Sequence, residues 1–441
     1  MYVCEKCDTQ FPKWSGRCPE CQAWGTIKET AQQHQGSVGP STFQALPRLS
    51  KPLERAGSER RIVTKNTEYD RVLGGGIVPG SLLLLSGEPG IGKSTLVASL
   101  AVSLPGSGTV LYASGEESAD QLSGRFERLG KPFEKVRYLE TGDVESLAAT
   151  IEKEKPLLAI IDSVQTLGSV AVEGTPGSPG LVRYAANLLL QTAKRTGIPI
   201  LLIGQVTKDG TVAGPKTMEH LVDTVLSLEG DPMHAFRILR ATKNRFGSTE
   251  EVGVFEMGGA GLIPVPNPSE RFLAERVATP GSIITAALEG SRVFLIEVQA
   301  LVEKSSYATP IRRASGFDAN RLQMLCAILS KRLGVHLGDQ DVYINVVGGM
   351  RLEEPAADLA VCAAILSAIS GISMTEPTIY IGEVGLGGEV RSVPACDRRL
   401  SEAARMGIQK AVLPKRNSSK PMKGLVSEGI QTLSQLKRTA V

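Results

Sequence analysis

The chain has 441 residues, more than a single hydrophobic core usually holds, so we expect two or three domains. Its composition is ordinary for a soluble globular protein, with 42% hydrophobic and 22% charged residues. The net charge of +3 excludes attraction of nucleic acid by bulk charge, so any such site must come from local basic patches. No apolar run approaches the ~20 residues needed to cross a bilayer, and no signal-peptide core follows Met1. We therefore expect a cytoplasmic protein with no membrane contact.

Four of the seven cysteines lie near the N-terminus, in two C-x₂-C pairs that are separated by ten residues. This spacing can place four thiolates around one tetrahedral Zn²⁺, with Cys4, Cys7, Cys18 and Cys21 as the ligands. The segment is too short to fold on apolar area alone, so the metal would supply its stability. A disulfide pair or a redox C-x-x-C motif is the alternative, and a cytosolic setting disfavours both. A C4 zinc ribbon is therefore predicted over residues 1–29.

Basic and aromatic residues lie between and just beyond the cysteine pairs, namely Lys13, Trp14, Arg17 and Trp24. Exposed aromatic rings beside cations suit a nucleic-acid or protein partner, but Trp14 could equally fill the small core of the ribbon. The sequence leaves both interpretations open.

A nucleotide-binding motif of the form G-x-x-x-x-G-K-[ST] occupies residues 87–95. Residues 81–86 before it have the pattern of a buried strand, and residues 96–104 after it have the pattern of an apolar helix. In such a strand–turn–helix segment, backbone N–H groups and the helix dipole point at a bound phosphate. Lys93 would hold the β- and γ-phosphates, and the Ser94 hydroxyl would hold Mg²⁺. The residues predicted to bind the nucleotide are Gly87, Glu88, Pro89, Gly90, Ile91, Gly92, Lys93, Ser94 and Thr95.

Two further strands are predicted to end in acidic residues beside this motif. Residues 110–114 are followed by Glu116 and Glu117, and the buried strand at 157–162 ends at Asp162. The second is the Walker-B pattern, which predicts that Asp162 supports the Mg²⁺ shell. We favour Glu116 over Glu117 as the group that orients or deprotonates the attacking water. The alternative is that the two glutamates only stabilise a helix N-terminus.

The buried strand at 198–203 is followed by Gln205, whose amide is predicted to sense the γ-phosphate and to pass the signal into the loop at 207–216. This loop and the Gly- and Pro-rich loop at 168–180 would face the channel of a ring. Ordinary solvent-exposed loops are the alternative interpretation. The cations that could follow a nucleic-acid backbone there are Lys208, Lys216 and Arg183.

The segment 237–247 has the pattern of an alternating strand that ends in the basic cluster Lys-Asn-Arg-Phe-Gly. Lys93 already fills the local phosphate role, so Lys243 and Arg245 have no obvious phosphate within one subunit. An arginine-finger contact with the γ-phosphate of a neighbouring subunit would explain two cations at a strand end. Contact with DNA is the rival interpretation.

The four-cysteine knuckle, the P-loop and the Lys-Asn-Arg-Phe-Gly run at 243–247 occur in an order that resembles the bacterial RadA (Sms) family of DNA repair proteins. The resemblance covers essentially the whole chain, and the pentapeptide is its most specific element. It implies a RecA-like ATPase core and a homo-hexameric ring related to DnaB-type helicases. It also implies binding of single-stranded DNA and branch migration of recombination intermediates together with the RecA recombinase.

The last third of the chain resembles the proteolytic domain of the Lon protease, in which a lysine activates a serine nucleophile. In this comparison Ala356 takes the place of the serine and Asp397 takes the place of the lysine. A methyl group cannot attack a carbonyl and a carboxylate cannot supply the chemistry of lysine, so no proteolysis is expected. The region also contains cations that form either a basic face for duplex DNA or a solvated charged face: Lys304, Arg312, Arg313, Arg321, Lys331 and Arg332. Its cysteines are predicted to be reduced core residues: Cys326, Cys362 and Cys396.

The predicted fold is therefore α/β, with a RecA-like P-loop ATPase core between the zinc ribbon and an α+β Lon-protease-like domain. The predicted boundaries are 1–29 for the ribbon, 30–65 for a linker or arm, 66–264 for the ATPase domain and 265–441 for the inactive Lon-like domain. We predict a DNA-dependent ATPase with ATP, Mg²⁺ and Zn²⁺ as cofactors, which acts as a motor in recombinational repair. The alternatives are a nucleotide-switched adaptor whose ribbon grips protein and, less favoured, an ATP-dependent peptidase.

Overall fold

The computed structural model describes residues 2–4, 10–11, 13–19, 22–29, 61–130, 132–140, 142–204, 218–230, 236–373, 376–418 and 422–439. These residues belong to two compact units, one within residues 1–54 and one within residues 55–441. The predicted boundaries at residues 65 and 264 remain predictions.

The first unit contains a small antiparallel sheet of the strands β1 (Tyr2–Cys4), β2 (Gln10–Phe11) and β3 (Ile27–Glu29). Strand β1 lies between the other two. Among the described residues, the core of this first unit consists of Cys4, Cys18 and Ile27, with Tyr2 packed against them. This core is very small, which is the condition under which a bound metal has to stabilise a fold.

The second unit begins with a twisted sheet that has nine strands in the described part of the chain, in the order β12-β11-β10-β9-β4-β8-β7-β5-β6. The strands are β4 (Leu82–Gly87), β5 (Val110–Ser114), β6 (Val136–Glu140), β7 (Leu158–Asp162), β8 (Ile200–Ile203), β9 (Thr224–Glu229), β10 (Phe236–Asn244), β11 (Val252–Gly258) and β12 (Gly261–Pro264). Six neighbouring strands run parallel, namely β9, β4, β8, β7, β5 and β6. Strands β10, β11 and β12 are added at one side by antiparallel pairing. The parallel half is the predicted RecA-like arrangement.

Helices cover both faces of this sheet. They are α1 (Thr67–Val72), α2 (Lys93–Ser103), α3 (Ala119–Arg128), α4 (Val144–Glu154) and α5 (Pro179–Thr196). Successive residues of β4 enter two different clusters: Leu83 and Leu85 pack with α2 and α3, while Leu82 and Leu84 pack with α4 and α5. A parallel strand covered on both faces needs an unbroken apolar run, and every residue of β4 is buried.

The P-loop helix begins earlier than its apolar pattern predicts. It starts at Lys93, not at residue 96, because the polar residues of the motif themselves form its first turn. Its N-cap is Gly92, which has a left-handed φ of 111°. This left-handed conformation is the reason for glycine here, because a Cβ would first meet the flexible end of Met257, at 2.9 Å from its Cε.

The C-terminal part of the second unit is a sheet that has seven strands among the described residues, in the order β15-β16-β14-β13-β17-β20-β21. The strands of this part are β13 (Ser282–Glu289), β14 (Arg292–Lys304), β15 (Arg312–Ser315), β16 (Gln340–Val346), β17 (Thr378–Tyr380), β18 (Glu383–Val384), β19 (Val390–Arg391), β20 (Lys410–Pro414) and β21 (Val426–Ile430), of which β18 and β19 form a separate ribbon. The helices are α6 (Pro268–Leu273), α7 (Ala319–Leu333), α8 (Asp358–Ser370), α9 (Cys396–Arg405) and α10 (Leu433–Thr439). Helix α8 is apolar on all sides because it is the buried centre of this part.

One buried and one partly exposed set of ion pairs join the nucleotide-binding core to the C-terminal sheet. Glu68 on α1 is fully buried, and its carboxylate accepts hydrogen bonds from the backbone N–H of Val254 and from Nη1 of Arg292 on β14. Arg240 on β10 pairs with Glu229 at 2.9 Å and with Glu289 on β13 at 2.7 Å. These contacts fix the two sheets relative to each other. No helix in the described part of the chain is long and apolar enough to span a bilayer.

Candidate nucleotide-binding site

The P-loop surrounds the ammonium group of Lys93. This side chain is largely buried, and Nζ donates hydrogen bonds of 2.9 Å to the carbonyl oxygens of Gly87 and Glu88. Burial lowers the pKa of Lys93, while the nearby carboxylates of Asp162 and Glu116 act to raise it. The loop therefore holds a cation at the end of β4, where the helix N-terminus adds further positive potential.

Asp162 lies beside this cation because β7 ends level with β5 and close to the start of α2. Its buried carboxylate accepts hydrogen bonds from the hydroxyl of Ser94 and, at 2.9 Å, from the hydroxyl of Tyr112. Burial raises the pKa of Asp162, and the two hydroxyl groups act in the opposite direction. A serine hydroxyl and a carboxylate that lie together are the oxygen ligands that Mg²⁺ takes, so these residues fit the ion.

The structure separates the two glutamates that follow β5. The carboxylate of Glu116 accepts a hydrogen bond of 2.5 Å from Oγ of Ser163, which follows Asp162 directly. Glu117 is instead paired with Arg125 on α3. Glu116 therefore lies beside Asp162 through Ser163, and its precedence over Glu117 as the group that orients water stays a prediction.

Arg125 also connects the P-loop to α3. Besides pairing with Glu117, it donates a hydrogen bond of 3.3 Å to Oγ1 of Thr95. Arg125 was not predicted as a site residue, because its contacts with Thr95 and Glu117 depend on the packing of α3 beside the P-loop.

The basic cluster at the end of β10 is held by contacts within its own chain. Lys243 donates from Nζ to the carbonyl oxygen of Glu219 at 2.6 Å. Arg245 lies 3.3 Å from the buried carboxylate of Asp223, and 53% of its side chain remains exposed. Burial, together with the neighbouring charge of Arg245, lowers the pKa of Lys243.

Along the strand direction, this cluster and the P-loop of the same chain lie at opposite ends of the sheet. Asn244 pairs with Thr224, and Thr224 is level with Leu83 near the start of β4, whereas the P-loop follows Gly87 at its end. The separation of four residues corresponds to about 13 Å along the strands. The structure therefore does not bring Lys243 and Arg245 to the phosphate site formed by Lys93.

Arg237 occupies the other end of β10 and was not selected from the sequence. It is buried, and Nε donates a hydrogen bond of 3.1 Å to the carbonyl oxygen of Ile91 in the P-loop. The sequence contains a sign of this burial. Inward- and outward-facing residues alternate along β10, and this alternation places Arg237 on the same face as buried apolar residues.

Comparison with known proteins agrees with this geometry. Residues 50–211 match the family model of an AAA domain, residues 2–29 match a rubredoxin metal binding domain, and residues 320–417 match subunit ChlI of Mg-chelatase. The chain is 43% identical to the DNA repair protein RadA of Bacillus subtilis over 450 residues, which cover 100% of this chain and 98% of the relative. It is also 43% identical to the DNA repair protein RadA of Pseudomonas aeruginosa, with 95% of this chain and 94% of the relative covered.

The chain belongs to the RadA family of DNA repair proteins. It carries the P-loop ATPase core, the N-terminal zinc ribbon and the Lon-like C-terminal domain that were predicted. Among solved structures, the RadB recombinase is similar at 21% identity with a TM-score of 0.37, covering 46% of this chain and 99% of that chain. A KaiC-like protein of Pyrococcus horikoshii is similar at 20% identity with a TM-score of 0.39, covering 47% of this chain and 99% of that chain.

Several predicted site residues lie outside the described residues, so their positions remain predictions: Cys7, Cys21, Gln205, Lys208 and Lys216. Arg183 is described and lies exposed in the first turns of α5. In the ribbon, Cys4 and Cys18 come from different C-x₂-C pairs and are buried in one cluster. Thiolates that meet in this way fit a shared Zn²⁺.

The ribbon exposes both of its tryptophans. Trp14 is 62% exposed and Trp24 is 74% exposed, so the interpretation that Trp14 fills the small core is wrong. Nε1 of Trp14 donates to the carbonyl oxygen of Ile27, which holds the indole against the surface. The guanidinium of Arg17 lies 5.7 Å from the ring centre of Trp24.

In the Lon-like domain, residues 354–360, which contain Ala356, lie beside residues 394–400, which contain Asp397. Ala356 is buried, whereas Asp397 is exposed at the start of α9. The fully buried Arg399 pairs with both carboxylate oxygens of Glu354 and so ties the two segments together. A buried ion pair thus joins the segments that were compared with the serine and lysine stretches of the protease.

The suggested basic face is smaller than the sequence indicated. Arg321 pairs with the buried Asp358, and Arg312 donates to backbone carbonyl oxygens of its own domain. The other four cations remain exposed, namely Lys304, Arg313, Lys331 and Arg332. Residue type alone had assigned all of these side chains to one surface.

Proposed function

We propose that this protein is an ATP-hydrolysing motor that acts on DNA in recombinational repair. The observation that carries this proposal is the meeting of Lys93, Ser94, Asp162 and Glu116 at the carboxyl edge of a parallel sheet. This is the edge at which α/β proteins bind ligands. Membership of the RadA family supports the role in DNA repair.

Each residue of this cluster has one role in the binding or hydrolysis of ATP, which follows from its position. Lys93 binds the β- and γ-phosphates, while Ser94 and Asp162 hold Mg²⁺. When bound there, Mg²⁺ would supply positive charge to neutralise the charge that develops on the phosphate during transfer. Glu116 accepts a hydrogen bond from the attacking water and orients it for in-line attack. Gln205 reports the γ-phosphate to the loop at 207–216.

The basic cluster completes the site of a neighbouring copy in a homo-hexameric ring. Support comes from the distance of Lys243 and Arg245 from their own P-loop and from the exposure of Arg245. Cations at this edge stabilise the transferring phosphoryl group of the next subunit, as arginine fingers do.

Single-stranded DNA passes along Lys208 and Lys216 of the channel loop at 207–216 and along Arg183 on the neighbouring helix α5. Hydrolysis then drives branch migration of recombination intermediates together with the RecA recombinase. The peptidase alternative is disfavoured because Ala356 and Asp397 stand in place of a nucleophile and its base. Absence of casein digestion by the wild-type protein is the expected result.

The first test is the steady-state rate of ATP hydrolysis with and without single-stranded DNA, with Lys93→Ala as the blank. Stimulation by DNA that is lost in Lys93→Ala supports the motor. An unchanged rate with DNA present contradicts it and favours the nucleotide-switched adaptor, for which association with a partner would depend on ATP without movement on DNA.

A mixing experiment tests the role of the basic cluster. Lys93→Ala and Arg245→Ala variants are each expected to be inactive alone. In an equal mixture, about one quarter of the interfaces join an intact P-loop to an intact Arg245, so part of the activity returns. No recovery in mixed rings, although both variants assemble, contradicts action between subunits and favours contact of Arg245 with DNA.

A further inference from the structure

Tyr112 lies in the middle of β5, in a strand whose other residues are apolar or small. Its side chain is fully buried. Its ring packs edge-on against Phe126, with ring centres 6.2 Å apart, and Phe126 stacks on Phe133. The aromatic contacts fix the ring, so the direction of the hydroxyl group is fixed as well.

The hydroxyl of Tyr112 has one well-defined acceptor. It donates a hydrogen bond of 2.9 Å to Oδ2 of Asp162.

The carboxylate of Asp162 is therefore held from two sides. Ser94 approaches from the P-loop helix, and Tyr112 approaches from the neighbouring strand. A carboxylate must take up one orientation to bind a metal ion. A hydrogen bond from a neighbouring side chain can fix this orientation before the ion binds, and such hydrogen bonds change the affinity for the metal.

We propose that Tyr112 is a positioning residue for the magnesium site, whose hydroxyl group holds the carboxylate of Asp162 in the orientation that binds the ion. This inference rests on the proposed ATPase function. It assigns to Tyr112 no contact with substrate, because its hydroxyl acts only through Asp162.

The chain offers a matched control in the same apolar cluster. Tyr69 is buried to the same degree as Tyr112, and its hydroxyl has no hydrogen-bond partner within the described residues. Both Tyr112→Phe and Tyr69→Phe remove one buried hydroxyl from a packed ring. Only the first removes a hydrogen bond to Asp162.

The experiment measures binding of a fluorescent ATP analogue to the full-length chain, first over a range of Mg²⁺ concentrations and then with a chelator in place of Mg²⁺. In Tyr112→Phe, we expect the Mg²⁺ midpoint to rise by about tenfold, the loss typical of one hydrogen bond to a charged group. Binding without Mg²⁺ should match the wild type. Tyr69→Phe should match the wild type in both conditions.

The possible outcomes separate this inference from the proposed function. A wild-type Mg²⁺ midpoint in Tyr112→Phe overturns the inference alone. An equal loss of binding with and without Mg²⁺ also overturns it, because the hydroxyl would then support the fold and not the ion site. A wild-type chain that binds no nucleotide overturns the ATPase proposal and the inference with it. The thermal unfolding midpoints of both variants should lie near that of the wild type.

Discussion

The ion pair between Glu68 and Arg292 supports a quantitative prediction about the junction of the two sheets. Glu68 has no exposed side-chain area, and the side chain of Arg292 is only 12% exposed. Replacing Arg292 by Met keeps much of the apolar stem and removes the charge. The variant then contains a buried carboxylate that has lost its main counter-charge.

Breaking a buried pair by removing one partner costs about 3–5 kcal/mol. Here the N–H of Val254 continues to donate to Glu68, and Arg71 lies 3.6 Å away. We therefore expect the lower end of this range, about 3 kcal/mol. The exposed pair of Arg271 with Glu256 is a matched control, because its side chains are 52% and 28% exposed. Arg271→Met should cost far less than Arg292→Met, because exposed ion pairs contribute little to stability.

The assay is urea unfolding followed by far-ultraviolet circular dichroism. Tryptophan fluorescence is unsuitable because both tryptophans of the chain lie in the ribbon. In a double-mutant cycle, adding Glu68→Gln to Arg292→Met should recover part of the loss, since the buried charge is then gone. Equal losses in Arg292→Met and Arg271→Met, or simple addition in the cycle, would refute the reasoning.

Two further predictions follow, one for Glu116, which we propose orients the attacking water, and one for the metal of the zinc ribbon. Ser163→Ala removes the hydrogen bond to Glu116 and should lower the kcat of ATP hydrolysis by about tenfold, with less effect on KM. Purified protein should contain one zinc ion per chain. Removal of this zinc by a chelator, followed by return of Mg²⁺, should change tryptophan fluorescence while DNA-independent ATP hydrolysis persists.

Each of these has a control within the chain. In a Glu116→Gln background, Ser163→Ala should cause no further loss of kcat, and a second tenfold loss would show that Ser163 acts elsewhere. Cys4→Ala should lose the zinc, whereas Cys326→Ala, at a buried free cysteine of the Lon-like domain, should retain it. Zinc in Cys4→Ala protein at the wild-type level would contradict the ribbon assignment.

Local patterns in the sequence predicted the nucleotide core well. The unbroken apolar run of β4, the glycine-rich turn and the acid at the end of β7 each act over a few residues. These features can be predicted from the sequence because the burial of a strand and the geometry of a loop depend mostly on residues that are close along the chain. Val110–Ser114 was predicted with its observed limits for this reason.

The outer contacts of the site could not be predicted in the same way. Tyr112 and Asp162 are separated by 50 residues, and Arg237 and Ile91 are separated by 146. A sequence shows residue types at both positions but not that the fold brings them together. The same limit explains the basic face, because the partner that neutralises Arg321 becomes visible only when α7 and α8 are packed.

The position of β4 between β8 and β9 has a consequence for the synthesis of the chain. The strand is apolar along most of its length, and each edge of it pairs only with a strand made much later. Strand β8 begins about 110 residues after β4 ends, so at about 5–20 residues per second β4 lacks its partners for roughly 6–22 s. An unpaired apolar strand is a template for association with other chains. The segment that carries the catalytic loop is therefore also one that a growing chain must protect until its partners emerge.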